Sequence, residues 1–161
     1  MTLNIENIWR KDIPHVRDEI VAFWEANKLL PPGADARDRA MQVVLIVREP
    51  AAGKICGITS ADVVQFKQLN NNNFFLFRIV IHPDFRVPGL VDKMLIETRD
   101  FLEEFSKTDP GRCVGLLTVV ENPGLIKHRN EAVWPATKMV YIGNDKQGRH
   151  IRVYYFKGSR I

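Results

Sequence analysis

Phe75 to Ile81 is an apolar run interrupted only by Arg78, and it stops at His82-Pro83-Asp84. Aromatic and β-branched residues dominate it, as in interior strands. Proline cannot donate to a sheet ladder, so the strand must end there. After Phe85-Arg86-Val87-Pro88-Gly89 a helical pattern begins at Leu90. Leu90, Val91, Met94, Leu95, Thr98, Phe101, Leu102 and Phe105 fall on one stripe. Asp92, Lys93, Glu97, Arg99, Asp100, Glu103 and Glu104 fall mostly opposite. Strand, tight loop and amphipathic helix in that order commit the chain to an α/β layering. A glycine at such a junction leaves backbone N–H groups exposed beside the positive end of the helix dipole. That is a place for phosphate, and the forked cation of Arg86 stands next to it. Most strand–glycine–helix junctions bind nothing, so the junction alone leaves a purely structural reading open.

Arg86-Val87-Pro88-Gly89-Leu90-Val91, preceded by a strand ending in Ile81-His82-Pro83, resembles the pyrophosphate-binding motif of the GNAT superfamily of N-acetyltransferases. That motif is Arg/Gln-x-x-Gly-x-Gly/Ala. The resemblance implies acetyl-CoA as cofactor, its pyrophosphate on the amides of Arg86, Val87, Gly89, Leu90 and Val91. Two positions depart from the family. Val91 stands where it has Gly or Ala, so a branched side chain crowds the phosphate. Pro88 has no N–H to donate.

A chain of 161 residues fits one domain, residues 1–161, with enough apolar content (45%) for a core. No apolar run reaches the length of a membrane span, and the start lacks the regions of a signal peptide. The expected location is the cytoplasm. Cys56 and Cys113 both fall in expected strands and read as reduced, buried thiols. No Cys/His cluster has ligand spacing, so no metal is expected. The net charge of +4 is uneven. From Lys127 onward eight basic residues face two acidic ones, +6, leaving −2 for the rest. Such an end can steer an anionic cofactor or meet nucleic acid; a solvated face is the commoner outcome, and nucleic acid is the lesser expectation.

The order of elements reads as follows. Asn4 to Trp9 is a first strand. Asp12 caps a helix with Pro14 in its first turn and Ile13, Val16, Ile20, Phe23 and Trp24 on its apolar stripe; Leu30-Pro31-Pro32-Gly33 breaks it. Ala34 to Met41 is a short helix. Gln42 to Arg48, Lys54 to Phe66 and Phe74 to Ile81 form an antiparallel meander. After the long helix, Arg112 to Val120 should run parallel to the Phe74–Ile81 strand. Leu125 to Val133 reads as helix, and Lys138 to Ile142 and His150 to Lys157 as final strands. This is a mixed, mostly antiparallel sheet flanked by helices, with one parallel pair. It resembles the GNAT layout along nearly the whole chain.

The resemblance also implies a division of labour. The pantetheine arm would lie along the backbone of Ile79, Val80 and Ile81. A small-molecule or peptide amine would attack the thioester, which needs a base for the amine and an acid for the thiolate. Glu121 and His82 are the candidate bases, each at a strand end. Asn122 stands where the family places an Asn after the second strand. Tyr141 is the candidate acid, in Tyr141-Ile-Gly143, spaced about two residues too far from Asn130, and Trp134 is a candidate for lining the substrate pocket. The alternative is a GNAT-like binding or regulatory module without catalysis. A homodimer stays open.

Overall fold

The computed structural model describes residues 2–161. In chain order the elements are β1 (Asn4–Asn7), α1 (Pro14–Ala26), α2 (Ala36–Ala40), β2 (Val43–Arg48), β3 (Ile55–Phe66) and β4 (Asn72–Ile81). Then follow α3 (Leu90–Ser106), β5 (Gly115–Val120), α4 (Pro123–His128), β6 (Val140–Asn144) and β7 (His150–Tyr155). The seven strands form one sheet in the order β1-β2-β3-β4-β5-β7-β6. It is mostly antiparallel, and β4 and β5 are parallel, pairing Phe74 with Gly115, Phe75 with Leu116 and Leu76 with Leu117. The expected fold class is therefore the observed one. No helix among the described residues is long and apolar enough to cross a membrane.

By backbone contacts the chain forms two compact units. One comprises Arg78–Met94 and the chain up to Ala61; the other comprises Asp62–Phe77 and Leu95–Ile161. β3 and β4 each give residues to both.

In the first unit, Val16, Ile20, Phe23 and Trp24 of α1 pack with Val43, Ile46 and Ile58, with Val80 against them. Ile79 and Ile81 alternate with Val80, as strand residues must, and join Val47, Cys56, Leu90 and Met94 in a second cluster. Arg17, only 5% exposed, lies on the buried side of α1. Its guanidinium donates to the carbonyls of Ala40, Ile8 and Lys11 at 2.7, 3.0 and 3.0 Å.

Several sequence expectations are corrected here. β1 ends at Asn7, because the Asn7 side chain accepts from Trp9 N–H at 3.0 Å and Arg10 turns at φ 56°. Ile13, not Asp12, occupies the cap of α1, and no side chain caps it; Ile13 carbonyl accepts from Val16 and Arg17 N–H. α1 ends at Ala26, well before the prolines, where the Asn27 side chain donates to Phe23 carbonyl at 2.8 Å. Cys113 is buried but precedes β5 rather than lying in it.

In the second unit, β5 pairs with β7 from Gly115↔Tyr155 to Val120↔His150. A Cβ on Gly115 would stand 2.3 Å from the Tyr154 carbonyl oxygen, so only glycine fits. Glu103 of α3 accepts from Tyr154 hydroxyl at 3.1 Å and from Lys157 N–H at 2.8 Å. α4 closes at His128 instead of continuing to Val133. The next residues form a small hairpin around Pro135, with Val133 bridged to Val140 and Trp134 N–H bonded to Met139 carbonyl at 2.9 Å. Proline at the start of that turn has no N–H to carry a helix onward.

The turn between β2 and β3 generates a pH dependence. Glu49 accepts from the N–H groups of Ala51, Ala52 and Lys54 at 2.7, 2.8 and 3.2 Å. The Lys54 amide first, and then those of Ala52 and Ala51, hold its carboxyl below the usual glutamate range against the opposing effect of burial. Stability from this group is present above the unfolded value, about 4.3, and is lost as pH falls through the lower folded value. Urea denaturation at a series of pH values should show the unfolding free energy declining below about pH 4. Glu49→Gln should be less stable at neutral pH and lose part of that decline.

Candidate functional site

The junction after β4 is built from local bonds. His82 N–H donates to Cys56 carbonyl at 2.8 Å, which carries the ladder one residue past Ile81. Pro83–Phe85 then make one 3₁₀ turn. His82 Nδ1 accepts from Asp84 N–H at 3.2 Å, and Phe85 N–H donates to His82 carbonyl at 2.9 Å. Val87 N–H reaches Phe85 carbonyl at 3.0 Å, and Leu90 N–H reaches Val87 carbonyl at 3.2 Å. Gly89 sits at φ 82°, a left-handed conformation that favours glycine.

Two N–H groups in this loop, those of Gly89 and Val91, donate to nothing among the described residues. They stand at the start of α3, a helix of 17 residues. Among the described residues, no atom lies within 4 Å of where a Gly89 Cβ would be, so the loop is open in front of its backbone. Arg86 bonds the end of β4 through Nε, at 3.2 Å to Ile81 carbonyl, and its remaining guanidinium nitrogens have no partner among the described residues. Val91 is 37% exposed and is the stripe position that turns away from the core. Arg86, Val87, Gly89, Leu90 and Val91 thus form one continuous loop and helix start, with Ile79, Val80 and Ile81 leading into it. Such a loop can receive the oxygens of an anion of phosphate type.

His82 has a defined tautomer. Because Nδ1 accepts from Asp84 N–H, the neutral ring carries its proton on Nε2. To accept a proton, Nδ1 must release that bond; Asp84 Oδ2 then lies 3.8 Å away as the partner of the charged ring.

The other candidates lie in the second unit. Glu121 follows β5 directly, is exposed, and accepts from Arg149 Nη1 at 3.1 Å; Arg149 Nε donates to Asp145 at 2.7 Å. Asn122 caps α4, its side-chain oxygen accepting from Gly124 N–H at 2.8 Å. Tyr141 is 41% exposed on β6, and its hydroxyl donates to Asn144 at 2.9 Å. Its ring meets His150 edge-on at 5.0 Å, and His150 faces Val120 across the β5–β7 ladder. Glu121 and Tyr141, which sequence reasoning took from separate segments, are therefore both neighbours of the His150–Arg149 end of β7. His150 itself was passed over, because nothing in a strand pattern distinguishes it.

Trp134 is buried and held from several sides. Its indole N–H donates to Arg129 carbonyl at 2.8 Å, and the guanidinium groups of Arg129 and Arg152 lie 5.1 and 4.2 Å from the ring centre. Arg152, 1% exposed, donates to the carbonyls of Met139, Ala132 and Arg129 at 3.3, 3.5 and 3.3 Å. Burial pushes this guanidinium below the ordinary arginine value.

No protein-family model and no curated protein sequence matches the chain. Solved structures do match it over nearly all its length. An acetyltransferase of the GNAT family from Streptococcus pneumoniae superimposes with a TM-score of 0.63 at 16% identity, covering 96% of this chain and 99% of that one. The ribosomal-protein-S5-alanine acetyltransferase of Vibrio fischeri gives 0.66 at 11% identity, covering 100% and 97%. NAA60 of Arabidopsis thaliana, solved with acetyl-CoA, gives 0.62 at 12% identity, covering 96% and 99%. The fold is GNAT-like.

The Arg152 arrangement carries its own test. Arg152→Met keeps most of the volume but leaves three carbonyls without their donor and removes a cation from the Trp134 face. The expected loss is about 2–4 kcal/mol of unfolding free energy. Urea denaturation followed by tryptophan fluorescence measures it; an unchanged midpoint would show that water replaces the guanidinium at little cost.

Proposed function

We propose that this chain is an N-acetyltransferase that moves an acetyl group from acetyl-CoA to a primary amine, on a small molecule or a peptide. The observation that carries the proposal is the loop at Gly89. It has two unengaged N–H groups at the start of a long helix and a half-free guanidinium beside them, in the segment whose sequence resembles the family's pyrophosphate motif. In this reading Arg86 and the amides of Gly89 and Val91 hold the pyrophosphate, and Val87 and Leu90 shape the loop. The backbone of Ile79, Val80 and Ile81 serves the pantetheine arm, and Asn122 is the residue after β5 to which the family resemblance gives a cofactor role. Pro88 gives no N–H, and those of Gly89 and Val91 are the two the loop leaves to an anion.

Chemistry then follows from the substrates. The neutral amine attacks the thioester carbonyl, a C–N bond forms and the C–S bond breaks. The amine proton passes to Glu121 or His82, directly or through water, and the departing thiolate takes a proton from Tyr141 or solvent. For His82 the receiving atom is Nδ1, at the expense of its bond to Asp84. For Glu121 the Arg149 guanidinium, 3.1 Å away, fixes where the carboxylate points.

Calorimetric titration with acetyl-CoA tests the loop. Arg86→Ala should weaken binding by roughly 1.5–3 kcal/mol, about 10- to 150-fold, through loss of a charge-assisted contact to phosphate. Equal affinity for wild type and variant would remove the loop from the assignment. Val91→Gly should bind more tightly if the Val91 side chain crowds the phosphate.

Release of coenzyme A against a panel of amines, followed over pH, tests the chemistry. Loss of the true base, by Glu121→Gln or His82→Ala, should cost about 10²- to 10⁴-fold in rate. Turnover unchanged in both would leave solvent or the substrate to take the proton. Tight binding of acetyl-CoA without turnover of any amine would favour a binding module.

A further inference from the structure

We propose that the first unit carries a second small-molecule site, a groove between α1 and the β2–β3 turn that takes a small aryl carboxylate. It does not rest on the acetyl-transfer reading. The groove has a volume of about 570 Å³, within the range of sites that enclose small ligands. Its shape comes from side chains that stop short. Ala22 and Ala26 lie one turn apart on the exposed side of α1, and Ala52 stands in the turn lining the same groove. Phe23 and Phe85 give it aromatic walls. Cys56 also lines it, 1% exposed; burial first, and the Glu49 charge second, push its thiol up, so it stays neutral and offers the ligand no charge.

The charge of the ligand follows from which polar groups are already engaged. Two carboxylates line the groove, and neither is available. Glu19 uses both oxygens on Arg48, at 2.8 and 3.2 Å. Glu49 accepts three backbone N–H groups at the turn. The donors are in the opposite condition. The Lys54 ammonium donates no hydrogen bond among the described residues; its charge acts on the Glu49 carboxylate at a distance beyond an ion pair. His82 Nδ1 is occupied by Asp84 N–H, so its Nε2–H is the ring's open donor. A cation and an N–H donor over apolar, aromatic walls fit an apolar body with an anionic acceptor at one end. An amine of the same shape would meet Lys54 and find no unengaged carboxylate.

The experiment is an amide chemical-shift titration of the full chain with 3-phenylpropanoate, alongside 3-phenylpropan-1-amine as its cationic counterpart. The carboxylate should give saturable shifts in α1 from Ala22 to Asn27 and in the turn from Ala51 to Cys56. The amine should bind at least about tenfold more weakly. Lys54→Gln should weaken the carboxylate about tenfold, the size of one charge-assisted contact. Ala26→Trp, on the exposed helix face, should abolish the shifts by filling the groove, while its own spectrum shows the fold intact. No saturable shift up to about 10 mM, equal binding of the amine, or indifference to both substitutions would each overturn the proposal.

Discussion

Two buried guanidinium groups hold the irregular parts of this chain in place. Arg17 gathers the carbonyls of Ile8, Lys11 and Ala40, which come from the segment after β1 and the end of α2. Arg152 gathers those of Arg129, Ala132 and Met139, from the hairpin after α4. Neither donates to a carboxylate. Main-chain carbonyls, including the last of a helix, carry enough partial negative charge to satisfy a delocalised cation. The pattern solves one problem in each unit: a segment with no regular ladder must still pair its buried carbonyls. A single five-donor side chain does so where several hydroxyls or waters would otherwise be needed. The cost is a buried charge that no carboxylate hydrogen-bonds, and in both cases burial lowers the guanidinium's proton affinity.

The loop at Gly89 shows the reverse arrangement. Most of its N–H groups are consumed in short-range bonds that shape it, and the two left over both lie at the helix start. Arg86 is anchored through one nitrogen to the end of β4, which fixes where its other nitrogens stand. Preorganisation of this kind reduces the ordering needed when an anion arrives. His82 links the same loop to β3, through its own N–H to Cys56 and its ring to Asp84. A ligand that touches His82 therefore touches the loop's foundation.

Local signals were readable in the sequence, and distant ones were not. Pro83 and Gly89 act on their own backbone, so the strand end and the loop were legible, as was the stripe of α3. The parallel pairing of β4 and β5 followed from the helix between them. Asp12 misled because a good capping residue lay one position from where the chain turns. The stretch from Arg129 to Met139 misled because its apolar residues have no period; they pack around Trp134 and Arg152, partners that no window of neighbouring residues contains. The candidate site divides the same way. The loop at Gly89 was legible, while the partners of Glu121, Tyr141 and His82, and the presence of His150 beside Tyr141, depend on which strands lie side by side.

The sheet order β5-β7-β6 has a consequence for how the second unit is made. Among the described residues β7 is the one strand that β6 pairs with in the sheet, and it lies between β6 and β5. During synthesis β6 emerges first and has no sheet to join until β7 follows. The outer edge of β5, with Leu116 and Leu117 buried in the finished fold, stays open for the same interval. A chain cut between Asn144 and His150 would leave β6 without its partner as well as lacking β7, and would leave β5 as a bare edge open to pairing with another molecule. Completion of this half of the sheet is thus tied to six residues from His150 to Tyr155.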